Sequence, residues 1–293
     1  MALASVQAFQ FGEDGKLARD SCLAVHFVFG LLLGVYSACT VLSDEIKNGT
    51  ASFVLSKPVS REIFFLSKFF GITIVVILFS ACAIAASLLG EHASPKLYSS
   101  EVLPLAALLC AVVAALVVAG CANYFFDRPF PSTAFTLLLV FMAAAVAMVA
   151  ALHDPESGRR IHEGRIFMVN TSIQWRLIPA GLLVTMALIT LSGVALALAG
   201  ILDTIPVLIA SASLFFAGLL SDYIFGYLGS GSMVAEIGRL FLPNWQYFWL
   251  ADALTSKGTI SASYLVSAAA YAICFLSAIL AIGMLLFRHQ ETK

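Results

Sequence analysis

The chain has 293 residues, of which 61% are apolar and 11% charged, with a net charge of −1 and a mean hydropathy of +0.97. Soluble domains are roughly 45–50% apolar and 25% charged, so no water-soluble fold can hide this surface and the chain reads as an all-α, polytopic integral membrane protein. The same balance excludes intrinsic disorder, a nucleic-acid-binding domain and a disulfide-stapled secreted scaffold. Long uninterrupted apolar runs also exclude a transmembrane β-barrel, whose strands alternate apolar with polar residues.

In chain order, Met1–Ser21 lacks a basic stretch feeding directly into an apolar core, so it is a polar lead into the first span rather than a signal peptide. About 20 mostly apolar residues cross a bilayer, and seven stretches qualify. The first two are Cys22–Leu42, with one histidine, and Phe64–Leu89, in which Lys68 sits where it can snorkel to the interface. Val102–Ala122, Phe130–Leu152 and Leu177–Leu202 carry no charge. Ile205–Ser221 is short and is joined to the preceding span by a tight hairpin at Asp203–Pro206; Ala262–Phe287 is the last. The six cysteines (Cys22, Cys39, Cys82, Cys110, Cys121, Cys274) lie in or at the ends of these runs with no Cys-x-x-Cys pair, and read as packing residues.

The longest stretches outside the spans are Asp222–Ser261 and His153–Arg176, 40 and 24 residues. Neither can hold a nucleotide-binding or catalytic domain, which needs at least about 50 residues, so the driving energy enters through a partner or an ion gradient. Lysine and arginine mark cytoplasmic loops, but placing Ser43–Ile63 inside assigns seven of them to the cytoplasm and nine to the other side, which does not settle orientation.

Leu42–Gly71 is the informative segment. An acidic stretch is broken at Gly49, Pro58 disfavours helix at Lys57, and Ser60 is placed to cap the next helix with Glu62 at its positive end. These residues fit either a short helix lying across the ends of two spans or an ordinary loop with a turn. The runs Asp44-Glu45-Ile46-Lys47-Asn48-Gly49-Thr50, Leu55-Ser56-Lys57-Pro58-Val59-Ser60-Arg61 and Lys68-Phe69-Phe70-Gly71 resemble the signature of ABC-2 type ABC transporter permeases. Ile173-Gln174-Trp175, Leu242-Pro243-Asn244-Trp245-Gln246 with Asp252-Ala253-Leu254, and the ending Phe287-Arg288 extend the resemblance more weakly. Two departures stand out: the chain begins where the family's outer loop after its first span would lie, and Leu191-Ser192-Gly193 lacks the basic residue relatives often carry there.

The resemblance implies a single permease domain over residues 1–293, with about seven spans and a cytoplasmic coupling helix within residues 43–63 that docks on a separate ATPase. Glu45, Gly49, Thr50, Pro58, Ser60 and Arg61 would form that docking surface, and the C-terminus would be cytoplasmic. It also implies a re-entrant outer segment containing Leu240, Pro243, Asn244 and Trp245. Val234, Ile237, Leu240 and Phe241 fall at helical spacing, and Trp245, Tyr247, Phe248 and Trp249 form an aromatic cluster suited to the headgroup level, which also fits a plain interfacial helix. The implied partners are the ATPase, a second permease copy as a homodimer, and the lipid bilayer, with ATP and magnesium held by the partner and no cofactor in this chain.

Gly12-Glu13-Asp14-Gly15-Lys16 has neither the spacing nor the following Ser or Thr of a phosphate-binding loop, so the chain is not expected to hydrolyse ATP. His153, His162 and Glu163 in a polar loop are a weak metal set, and Gly229-Ser230-Gly231-Ser232 reads as a hinge rather than a serine nucleophile turn. His26 is the one titratable side chain expected deep in a span besides cysteines and tyrosines, while Asp203 and Asp222 sit at helix ends. That paucity weighs against an ion-coupled carrier. The four arginines of His153–Arg176 fit contact with anionic headgroups or an acidic substrate, and a solvated interfacial helix is the preferred reading. An ABC exporter permease is therefore the expectation; a non-transporting membrane anchor or mechanotransmitter of an ATPase complex is the alternative.

Overall fold

The structure, a computed structural model, describes residues 16–43, 45, 60–93, 102–152, 159–162, 165–168, 173–221, 223, 225, 242–250, 254 and 258–289. Among them the apolar runs are helices: α1 (Lys16–Ala38), closing in a π-helical turn at Cys39–Ser43, α2 (Arg61–Ala93), α3 (Val102–Phe126), α4 (Phe130–Leu152), α5 (Leu177–Ala199), α6 (Thr204–Leu219) and α7 (Ala262–His289). A two-stranded hairpin, β1 (Arg159–His162) and β2 (Arg165–Met168), lies between α4 and α5, and a 3-10 turn, Trp245–Phe248, precedes α7.

Six of these helices are long and apolar enough to cross a membrane. The seventh expected span, α6, has 16 residues, about 24 Å at 1.5 Å per residue against a hydrocarbon thickness of about 30 Å; Ser221, Tyr223 and Phe225 beyond it are also helical. Several helices outrun the apolar stretches. α1 begins at Lys16 rather than Cys22, α2 runs to Ala93 rather than Leu89 and α3 to Phe126 rather than Ala122, whereas α5 stops at Ala199 rather than Leu202. Helix ends follow backbone hydrogen bonding and capping, and a charge that finds a partner does not stop a helix. Lys16–Ser21, expected as part of a polar lead, is therefore helical.

In the arginine-rich stretch between α4 and α5, the described residues 159–162 and 165–168 are strands where a helix was expected. β1 and β2 pair antiparallel with Arg159 opposite Met168 and His162 opposite Arg165. Ile161, Ile166 and Phe167 favour extended backbone, and Gly164 between the strands works against a continuous helix. Only three residues, Asp127–Pro129, join α3 to α4, which makes these helices antiparallel neighbours. Asp127 adopts a φ of 51°, a left-handed conformation that Asp tolerates. The Asn123 side-chain amide donates to the Arg128 carbonyl at 2.7 Å and closes the turn.

The chain forms two compact units. The first comprises Met1–His26, Leu78–Gly181 and Leu254–Gly258; the second Phe27–Ile77, Leu182–Ala253 and Thr259–Lys293. In the first unit α3 packs on α4 through a row of small residues, Ala107, Ala111, Ala115 and Ala119, buried with Ala145 and Val149 of α4. Small side chains one turn apart let helix backbones approach closely where lipid supplies no hydrophobic drive to associate. In the second unit α5 is the central helix, with Leu183, Leu188, Leu191 and Leu196 fully buried. Its neighbours approach it through glycines: Gly30 and Gly34 of α1 lie against Leu188 and Ser192, Gly193 of α5 meets Leu276 of α7, and Gly283 of α7 lies against Ala197 and Phe65. Of the cysteines, Cys22, Cys39 and Cys82 are buried packing residues as expected, while Cys110, Cys121 and Cys274 are exposed on the helix surfaces.

Candidate functional site

The start of α2 follows directly in sequence on residues 46–59, which lie outside the described residues. Ser60 caps the helix: the Ile63 N–H donates to its Oγ at 3.3 Å and the Phe64 N–H to its carbonyl at 3.1 Å. Glu62 lies in the first turn, where the helix dipole favours an acid. Ser60→Ala will cost about 1 kcal/mol, seen as a lowered midpoint in thermal unfolding of the detergent-solubilised protein, with Ser60→Asp retaining wild-type stability.

Around this cap three chain segments are tied together. Lys68 Nζ donates to Glu45 Oε1 at 2.7 Å, joining α2 to the residues just after α1. Its ammonium also lies 5.1 Å from the centre of the Phe64 ring, within cation–π range. Arg61 Nη1 donates to the Arg288 carbonyl at 3.2 Å. A guanidinium there satisfies a carbonyl in the last turn of α7 and complements the negative end of its dipole. Phe64 and Phe65 each pack on Phe287 with ring centres 6.0 Å apart. Glu45 just past the π-helical turn that closes α1, the first two turns of α2 and the last turn of α7 are therefore linked by side-chain contacts.

Two sequence expectations change here. Lys68 does not simply snorkel; it pairs with Glu45. Glu45 consequently has a partner within the chain and is half-buried. Ser60 and Arg61 stand at the helix start as expected, while Gly49, Thr50 and Pro58 lie outside the described residues, as does Leu240.

Pro243, Asn244 and Trp245 form a second well-defined constellation. Asn244 Oδ1 accepts the Gln246 N–H at 3.0 Å and caps the 3-10 turn, and the Asn244 N–H donates to the Tyr271 hydroxyl at 3.0 Å. Trp245 is 1% exposed. Its indole N–H donates to the Leu214 carbonyl at 3.2 Å, and its ring packs on Phe215, Phe248 and Phe275. Gln246 Nε2 donates to the Leu219 carbonyl at 3.0 Å, satisfying an acceptor at the end of α6. The Tyr264 hydroxyl donates to the Tyr247 carbonyl at 2.9 Å. The aromatic cluster is thus not a headgroup belt as a whole: Trp245 and Phe248 are core residues, and Tyr247 is the exposed member. Burial wins because α6 presents carbonyls that the indole and amide can reach and a glycine, Gly218, that leaves room for the ring.

A third group was not expected from the sequence. In the first unit Arg19 of α1 is 3% exposed and Glu91 of α2 is 7% exposed, with Arg19 Nη1 3.9 Å from Glu91 Oε1. Arg19 also donates to the Leu254 carbonyl at 3.4 Å and to Asp20 Oδ1 at 3.3 Å. About two turns further along α1, His26 Nε2 and Ser80 Oγ share a hydrogen bond of 3.0 Å, and His92 is buried too. Arg19 stands in the first turn of α1 and Glu91 and His92 in the last turn of α2, so these buried polar groups lie at helix ends and His26 lies deeper. The signal was present in the sequence: Arg19 directly precedes the first apolar run and Glu91-His92 directly follow the second, and two consecutive crossings bring those ends to one side.

The family profile described as ABC-2 family transporter protein matches residues 17–196, well over half of the chain. The chain belongs to the ABC-2 transporter family. No curated protein and no solved structure matches it. As an ABC-2 permease it is an integral membrane component of a transporter. The matched stretch contains the polar group of Arg19 and Glu91, the Glu45–Lys68 pair and the capped start of α2, and it ends within α5, before α6 and the Trp245 segment.

Proposed function

We propose that this ABC-2 permease is the membrane subunit of an exporter, driven by a separate ATPase that docks on residues 43–63. Two copies would pair with two ATPase chains, which would bind the ATP and magnesium. The docking segment and the C-terminus would face the cytoplasm. The observation that carries this reading is the three-way tie at the start of α2. The docking segment leaves α1 beside Glu45 and re-enters at Ser60, and both points are bonded to α2 or α7 by Lys68–Glu45 and Arg61–Arg288. A push on residues 46–59 is then delivered to three spans together, which is the requirement for rocking a permease between inward- and outward-facing states. Gly49 and Pro58 would shape the turn, and Thr50, Ser60 and Arg61 would meet the ATPase.

The test is affinity purification of the detergent-solubilised protein from its native membrane, with ATP hydrolysis assayed in the eluate. Wild type is expected to retain an ATPase. Arg61→Glu, which reverses an exposed charge and removes the bond to α7, is expected to lower the recovered activity by at least about tenfold, a binding difference of roughly 1.4 kcal/mol. Absence of ATPase from both preparations overturns the docking assignment. An ATPase that copurifies but ignores every lipid or drug tried as substrate points to the anchor or mechanotransmitter instead.

A further inference from the structure

Within the first unit, the described residues line an open, shallow apolar groove of about 470 Å³ on the side of α2 and α4. Ile84 and Leu88 of α2, Ala143 and Val146 of α4, and Trp175 and Ile178 at the start of α5 line it. Its volume lies in the range of small-ligand sites, about 300–1,000 Å³. No polar side chain lines it beyond the Trp175 indole, so a polar solute has nothing to bond. The groove lies on spanning helices close to the end of α2 and the start of α5, so lipid is the medium that reaches it.

An arginine stands next to one of its lining residues in sequence. Arg176 follows Trp175 directly, and its Nε is buried without a hydrogen-bond partner. Tryptophan and arginine at a helix start form the usual combination at headgroup depth, the ring against acyl chain and the guanidinium toward phosphate. We propose that this groove is a binding site for one acyl chain of an anionic phospholipid, whose phosphate is held by Arg176. Neither the groove nor Arg176 takes part in the ATPase docking surface, so the two proposals fail separately.

Trp175 serves as the reporter. The protein is reconstituted in nanodiscs of phosphatidylcholine containing a minor fraction of chain-brominated phosphatidylglycerol or chain-brominated phosphatidylcholine. The quenching due to Trp175 is the difference between wild type and Trp175→Phe. Brominated phosphatidylglycerol is expected to occupy the site about fivefold more readily than brominated phosphatidylcholine, the preference one arginine confers near a membrane surface. Arg176→Gln should bring that ratio to one, Arg176→Lys should preserve most of it, and Ala143→Phe should lower quenching by both lipids by filling the groove. Equal quenching by the two lipids in wild type overturns the proposal, as does a preference that survives Arg176→Gln. Quenching by neither lipid, with Ala143→Phe lowering the oligomer mass, would show instead that a second copy of the chain fills the groove.

Discussion

Arg19→Met will destabilise the protein by about 3–5 kcal/mol, the usual cost of stripping one partner from a buried ion pair. The guanidinium is the hub of its group: it faces Glu91, Asp20 and the Leu254 carbonyl. Removing it takes away the cation 3.9 Å from Glu91 Oε1, a carboxylate at 7% exposure. Glu91→Gln will cost less, about 1–3 kcal/mol, because Arg19 keeps Asp20 and the carbonyl and the amide can still accept a hydrogen bond. The double replacement Arg19→Met with Glu91→Leu should regain most of the loss, since an apolar pair of similar volume needs no desolvation of charge. Unfolding by SDS titration, followed by circular dichroism, measures all three. An Arg19→Met variant within 1 kcal/mol of wild type would show that water or lipid phosphate already solvates the pair.

Trp245→Ala should cost about 3–5 kcal/mol through the cavity it leaves, besides orphaning the Leu214 carbonyl that accepts from the indole. The reciprocal experiment is at Gly218, where an added Cβ would run into both the indole and the Pro243 carbonyl. The carbonyl belongs to backbone held by Asn244 and Tyr271, so it has little room to retreat. Gly218→Ala should therefore lose about 1–3 kcal/mol by overpacking. Combining the two changes removes the ring from the clash but not the carbonyl, so the double variant should be more stable than the sum of the single losses predicts, without recovering wild type. Strict additivity in thermal unfolding would mean that the indole does not rest on Gly218. If the Pro243–Trp249 segment gates an exit path and the proposed ATPase contact lies at Ser60 and Arg61, Trp245→Ala will change substrate transport more than ATPase recovery.

Much of this protein was legible without coordinates. Runs of twenty apolar residues have one outcome in a cell, and six helices long enough to span lie where those runs are. Ser60 as a cap was legible because a cap is a local event, needing only a hydroxyl before the helix and free amides within it. The family was legible because the motif from Asp44 to Gly71 is contiguous, and the matched region contains it. What the sequence left open were the environments of polar and aromatic side chains, which depend on residues far along the chain. Arg19 meets Glu91 seventy-two positions away, which is why a residue assigned to a polar lead lies inside a spanning helix. Lys68 meets Glu45 instead of the interface, and Trp245 turns inward because α6 supplies a carbonyl and a glycine. Hydropathy along a chain reports the average solvent of a segment. Only packing between segments decides whether a given charge or indole finds a partner there, and in a medium without water that partner determines where the side chain can lie.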